Sequence, residues 1–119
     1  MYRLDVKIRL HNGSDVAFGP GKADLLEAIA QYGSISAAAR ALGMSYRRAW
    51  LLVETMNRSF RQPLVSTLAG GKHGGGTQLT ETGEQVLQRY RLLCAQALAA
   101  VQAECDALAG LLAETAAEG

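Results

Sequence analysis

Unbroken apolar runs, clustered histidines and paired cysteines are all missing from this 119-residue chain, and each absence removes a class of function. No stretch approaches the ~18 consecutive apolar residues of a membrane helix, so no membrane span or membrane partner is expected. The N-terminus, MYRLDVKIRL, alternates polar and apolar residues where a signal peptide would run apolar after its basic start, which predicts a cytoplasmic protein. Cys94 and Cys105 are eleven residues apart in one expected helix. At about 1.5 Å per residue that places them roughly 16 Å apart, too far to bridge. Without a histidine cluster they make no zinc site and read as small apolar residues in a reducing compartment. His11 and His73 fall in separate turns with no evident carboxylate partner, which argues against a catalytic triad or metal centre.

Two glycine patterns resemble nucleotide sites and fail on inspection. Gly19 and Gly21 stand between an expected strand and helix, but Asp24 occupies the third glycine position and no parallel βαβ unit surrounds them. Gly71 and Lys72 resemble the end of a phosphate loop, yet His73 stands where a hydroxyl should hold magnesium and Ser66 where the first glycine should be. No enzyme activity, catalytic residue, metal or cofactor is therefore expected.

Basic residues are also missing from one region: after Arg91 there is no Lys or Arg, only Glu104, Asp106, Glu114 and Glu118. Residues 40 to 72 show the opposite, with Arg40, Arg47, Arg48, Arg58, Arg61 and Lys72 set against Glu54 alone. The formal net charge of +1 hides this split. A basic middle and an acidic tail fit a phosphate-facing centre with a C-terminal part that faces something else.

The length allows one compact domain with an appendage. Leu4, Val6, Ile8 and Leu10 alternate with charged residues, which predicts a half-buried strand, and Asn12-Gly13 predicts a hairpin returning through Val16 and Phe18. Gly19-Pro20-Gly21 punctuates the start of a helix with Leu25, Leu26, Ile29 and Tyr32 on one side and Gly33 as its C-terminal cap. Ser34 or Ser36 can cap a second, alanine-rich helix, which Gly43 stops. Ser45 caps a third helix with Ala49, Trp50, Val53, Met56 and Phe60 inward and Tyr46, Arg47, Glu54 and Arg58 outward. Leu64 to Leu68 and a short segment through Gln78 and Leu79 predict a second hairpin with a glycine tip from Gly70 to Gly76.

Thr80 opens a last helix in which Leu87, Tyr90, Cys94, Leu98, Val101, Cys105, Leu108 and Leu112 recur at steps of three or four. Little else in the chain is left to cover so long a stripe, which predicts pairing with a second copy.

Two helices, a basic third helix and a glycine-tipped hairpin in that order predict a mainly α fold with small β hairpins, a winged helix-turn-helix. The expected division is residues 1–79 for the DNA-binding unit and 80–119 for a dimerisation helix. In such folds the residues just after the turn meet the bases in the major groove. Here Arg47 and Arg48 can donate two hydrogen bonds to guanine or clamp phosphates, and Tyr46 can touch a thymine methyl or a phosphate. Ser36, Ser45, Arg58, Lys72 and His73 complete the expected DNA-binding set, the last two on the wing.

The segments ISAAARALGMSYRRAWLLVETMN, LV and TLAGGKHGGGTQLTETGEQVL also resemble the N-terminal DNA-binding domain of the molybdate-responsive ModE regulators and, more distantly, the LysR-type winged helix-turn-helix. The resemblance covers about residues 4 to 90. It implies a dimeric repressor or activator with its recognition helix starting at Ser45, a wing from Gly70 to Gly76 and terminal helices at the dimer interface. The oxyanion-sensing domains of the full-length regulators have no counterpart in these 119 residues, so molybdate is not an expected ligand.

Expected partners are double-stranded DNA, at a two-fold operator, and a second copy of the chain. Two rival readings retain the fold without independent DNA binding. One is a protein-interaction module, which needs no focus of cations. The other is a small oxyanion sensor, which ligand-dependent stability would reveal.

Overall fold

The computed structural model describes residues 2–68 and 76–114. The chain forms β1 (Leu10–Asn12), β2 (Asp15–Phe18), α1 (Pro20–Tyr32), α2 (Ile35–Ala41), α3 (Tyr46–Ser59), β3 (Val65–Thr67), β4 (Thr77–Leu79) and α4 (Glu81–Ala109). The fold is mainly helical with two separate antiparallel hairpins, the architecture of a winged helix-turn-helix.

Local chemistry sets most of these boundaries. Pro20 starts α1 at its first helical position, where the missing N–H costs nothing. Gly33 ends it in the left-handed conformation at φ 73°, donating its N–H to the Ile29 carbonyl. The Ser34, Ser45 and Thr80 hydroxyls cap α2, α3 and α4 by accepting from the N–H groups of Ala37, Arg48 and Gly83. Each such cap is worth about 1 kcal/mol.

Phe18, Leu25, Leu26, Ile29, Met56 and Leu64 are the largest fully buried side chains. The rings of Phe60 and Tyr90 meet Phe18 edge-on, with centroids 6.3 and 5.0 Å away. The core therefore joins β2, α1, α3, the start of the second hairpin and α4. Asn57 on α3 fixes that hairpin: its carbonyl accepts from the N–H groups of Leu64 and Val65, and its amide donates to the Val65 carbonyl at 3.1 Å. Gly83 lies directly on the Leu64 backbone, where a Cβ would collide with the carbonyl. Beside it, Thr80 donates its N–H to the Leu64 carbonyl and its hydroxyl to the Pro63 carbonyl.

Several expectations need correction. Residues 4 to 9 are not a strand, and the ladder begins at Leu10. Strand β2 is only four residues long and turns into α1 after Gly19, so among the described residues no strand pairs with residues 4 to 9. They lie against α4 instead, held by hydrogen bonds from the Tyr90 hydroxyl to the Ile8 carbonyl and from the Tyr2 hydroxyl to Asp106. The hairpin turn centres on Gly13 and Ser14, since Asn12 still pairs with Asp15. Trp50 and Tyr32 are exposed, not inward. The buried face of α3 runs through Ala49, Val53 and Met56, and Trp50, although three residues before Val53, lies about 90° around the helix from the middle of that face.

The expected dimer stripe on α4 splits in two. Tyr90 is buried in the chain's own core, and Leu87 and Cys94 pack against that core. Leu98, Val101, Leu108 and Leu112 are exposed, and Cys105 is half-buried. Leu112 lies past the end of the helix. By length and composition α4 is also apolar enough to cross a membrane, although no unbroken apolar run announces it. Glu104 and Asp106 lie near its C-terminal end, and carboxylates are costly inside a bilayer.

Candidate nucleic-acid interface

The turn between α2 and α3 is built for a protruding helix start. Gly43 takes φ 69°, Met44 is half-buried under the turn, and Ser45 holds extended backbone while its hydroxyl caps α3. Accepting from Arg48 N–H leaves the Ser45 O–H free to donate outward. Tyr46, Arg47 and Arg48 follow in the first turn, all exposed. No ion pair among the described residues involves Arg47 or Arg48. Cations left without carboxylates at an exposed helix start are available to guanine edges or phosphates.

A groove of about 230 Å³ on this face is lined by Ser45, Arg47, Arg48, Leu51, Leu52 and Thr55. Trp50 and Leu51, 41% and 49% exposed, add apolar surface that sequence reading placed inside or left unassigned. Their exposure on the basic helix offers contact for thymine methyl groups. Helical spacing carried the signal for Leu51, which lies across the helix from the Ala49, Val53, Met56 stripe, whereas Trp50, three residues before Val53, falls at the edge of that stripe.

Ser36 is exposed in the first turn of α2, close in sequence to the Ser34 cap. Arg58 sits at the far end of α3 from Tyr46, and its guanidinium pairs with Asp15 of β2 at 3.3 Å. Both members are substantially exposed, so the pair is weak and Arg58 remains partly available. Lys72 and His73 lie outside the described residues; β3 and β4, which flank them, pair as the expected hairpin with Val65 opposite Leu79 and Thr67 opposite Thr77. The described set thus brings Ser45, Tyr46, Arg47 and Arg48 together, with Arg58 at the opposite end of the same helix.

Residues 22–84 match the family model of the bacterial regulatory helix-turn-helix proteins of the LysR family. The chain is 41% identical over 91 residues to the molybdenum transport protein ModE of Azotobacter vinelandii, covering 76% of this chain and 34% of that one. It is 46% identical over 74 residues to the transcriptional regulator ModE of Haemophilus influenzae, covering 62% and 29%. With the molybdenum-pterin-binding protein MopA of Rhodobacter capsulatus the identity is 45% over 75 residues, covering 63% and 28%. The matched region spans about a third of the length of these curated relatives.

Proposed function

The chain belongs to the LysR family of bacterial regulatory helix-turn-helix proteins, and we propose that it binds a two-fold DNA operator as a homodimer and regulates transcription there. The observation that carries this reading is the start of α3: a Ser45-capped helix presenting Tyr46, Arg47 and Arg48 to solvent, without ion-pair partners among the described residues. In this reading those three residues, with Trp50 and Leu51, meet base edges. Ser36, Ser45, Arg58, Lys72 and His73 contact the backbone.

The division of labour follows the expected boundary. Residues 1–79 hold the DNA and 80–119 supply the dimer contact, with the first turns of α4 shared by both because Gly83 and Tyr90 belong to the common core. The open stripe of Leu98, Val101, Cys105 and Leu108 repeats at steps of three and four, the spacing of a two-helix seam. The dimer works in the cytoplasm, where its operator is.

The relatives' names refer to molybdenum, and we assign no oxyanion site to this chain. Operator binding should be independent of molybdate, and molybdate, tungstate and sulfate are expected to leave the melting temperature unchanged. A rise of several degrees with any of the three would favour the oxyanion-sensor reading instead.

Selection of bound sites from a random duplex pool tests the main proposal. The expected result is an enriched sequence with two inverted half-sites. Failure to bind any duplex at low salt overturns it.

A further inference from the structure

A second groove, of about 360 Å³, opens beside α3 and gathers four cations from three separate parts of the sequence: Lys7, Arg9, Lys22 and Arg48. None of the four forms an ion pair among the described residues. The groove is built where the N-terminal segment crosses the start of α1. Gly19 is buried there, and a Cβ on it would come within 3.3 Å of Arg9 Cγ, so the glycine gives the arginine stem its path into the groove. The first turn of α1 contains no acidic residue and receives no side-chain cap.

Like charges gathered in one place raise the free energy of the isolated chain unless an anion arrives. Lys22 is half-buried among them: burial pushes its amine below the usual lysine range, Asp15 offsets part of that, and the Arg48 charge adds a smaller push in the same direction as burial. Asp15 is itself engaged by Arg58.

The groove is not isolated from the base-reading face. Arg48 and Leu52 line both this groove and the one holding Ser45 and Arg47. The two grooves therefore adjoin at Arg48, which places Lys7, Arg9 and Lys22 beside the start of α3. A duplex seated with α3 in its major groove carries a phosphate strand along each flank of that helix.

We propose that Lys7, Arg9 and Lys22 bind backbone phosphates of the duplex, flanking the base pairs that α3 reads. This rests on the DNA-binding reading above. The cations supply affinity and register, without base preference, through counterion release.

The test compares Arg9→Gln/Lys22→Gln with Arg3→Gln/Arg89→Gln, a control that loses the same formal charge outside the groove. Fluorescence anisotropy measures affinity for the selected operator and for a random duplex between 50 and 200 mM salt, after circular dichroism shows that both variants are folded. The expected result is a loss on the order of tenfold at the groove variant, similar for both duplexes, with the log–log salt slope shallower by about 2. The control should keep most of the wild-type slope.

If the wild type binds duplex and the groove variant binds it with the same slope, the phosphate assignment is wrong while the DNA-binding reading stands. If the wild type binds no duplex, both fail. Inorganic phosphate added to each protein separates the remaining source. A melting temperature raised in the wild type alone, together with an unchanged duplex slope, would identify a free-anion site and overturn the proposal.

Discussion

The Tyr90 hydroxyl donates to the Ile8 carbonyl at 2.7 Å, tying the N-terminal segment to the middle of a helix 82 residues later in the chain. The same ring packs edge-on against Phe18, so one side chain joins the segment, the first hairpin and α4. Burial, with the neighbouring Cys94 thiol, pushes the Tyr90 phenol up to about 12. An acid whose folded pKa lies above its unfolded value near 10 stabilises the fold fully below pH 10 and loses that contribution as pH rises toward 12. Tyr90→Phe should cost roughly 1 kcal/mol at neutral pH and flatten the alkaline fall. Urea midpoints of the two proteins from pH 8 to 12 measure both effects.

Gly83 predicts a reversal of ordinary helix propensity. Alanine at an exposed helix position gains about 1 kcal/mol over glycine. Here the new methyl would strike the Leu64 carbonyl, a backbone atom that cannot swing aside. Gly83→Ala is expected to destabilise by about 1–3 kcal/mol, read as a lowered urea midpoint with an unchanged denaturant slope.

Asn57→Ala should be among the more damaging polar substitutions. It leaves the Leu64 and Val65 N–H groups and the Val65 carbonyl without their side-chain partner. The expected loss is about 2 kcal/mol in a thermal or urea melt. Asn57→Asp should restore the two N–H bonds but set a carboxylate against the Val65 carbonyl, and recover only part of it.

Leu98→Glu combined with Leu108→Glu tests the dimer without touching the core, since both side chains are already exposed in one chain. The expected outcome is a monomer mass in light scattering at micromolar concentration with the helical spectrum retained. Wild-type protein that is itself monomeric there would exclude the homodimer.

Arg47→Ala should cost about 1–3 kcal/mol for an operator half-site and relax preference at one base pair, with little change on random duplex. Ser45→Ala acts differently. It removes the cap on α3 and so lowers stability by about 1 kcal/mol as well as operator affinity. Melting curves beside binding isotherms separate the two.

The helices were legible because their ends carry local chemistry: Pro20 and Gly33 for α1, Ser34 for α2, Ser45 for α3 and Thr80 for α4. Misreadings arose where the deciding partner is distant. The alternation from Leu4 to Leu10 is that of a strand, but a strand exists only if another runs beside it, and β2 ends too soon. Tyr90 keeps the spacing of an open stripe, and nothing local says that Phe18 waits to receive it. The start of α3 was readable because Ser45 to Arg48 are contiguous. Lys7, Arg9 and Lys22 meet Arg48 only in the folded chain, so no motif announced them.

The junction of Gly83 and Thr80 with the backbone of Pro63 and Leu64 sets how rigidly DNA can be measured. A helix of 29 residues, about 44 Å long, leaves the recognition unit there without a hinge between them. In the proposed dimer, two such chains joined along α4 would behave as a fixed caliper. The distance and the rotational phase between half-sites are then set by the protein, and the operator must match both. Inserting five base pairs at the operator centre should abolish binding by turning the half-sites to opposite sides of the duplex, and inserting ten should not restore it.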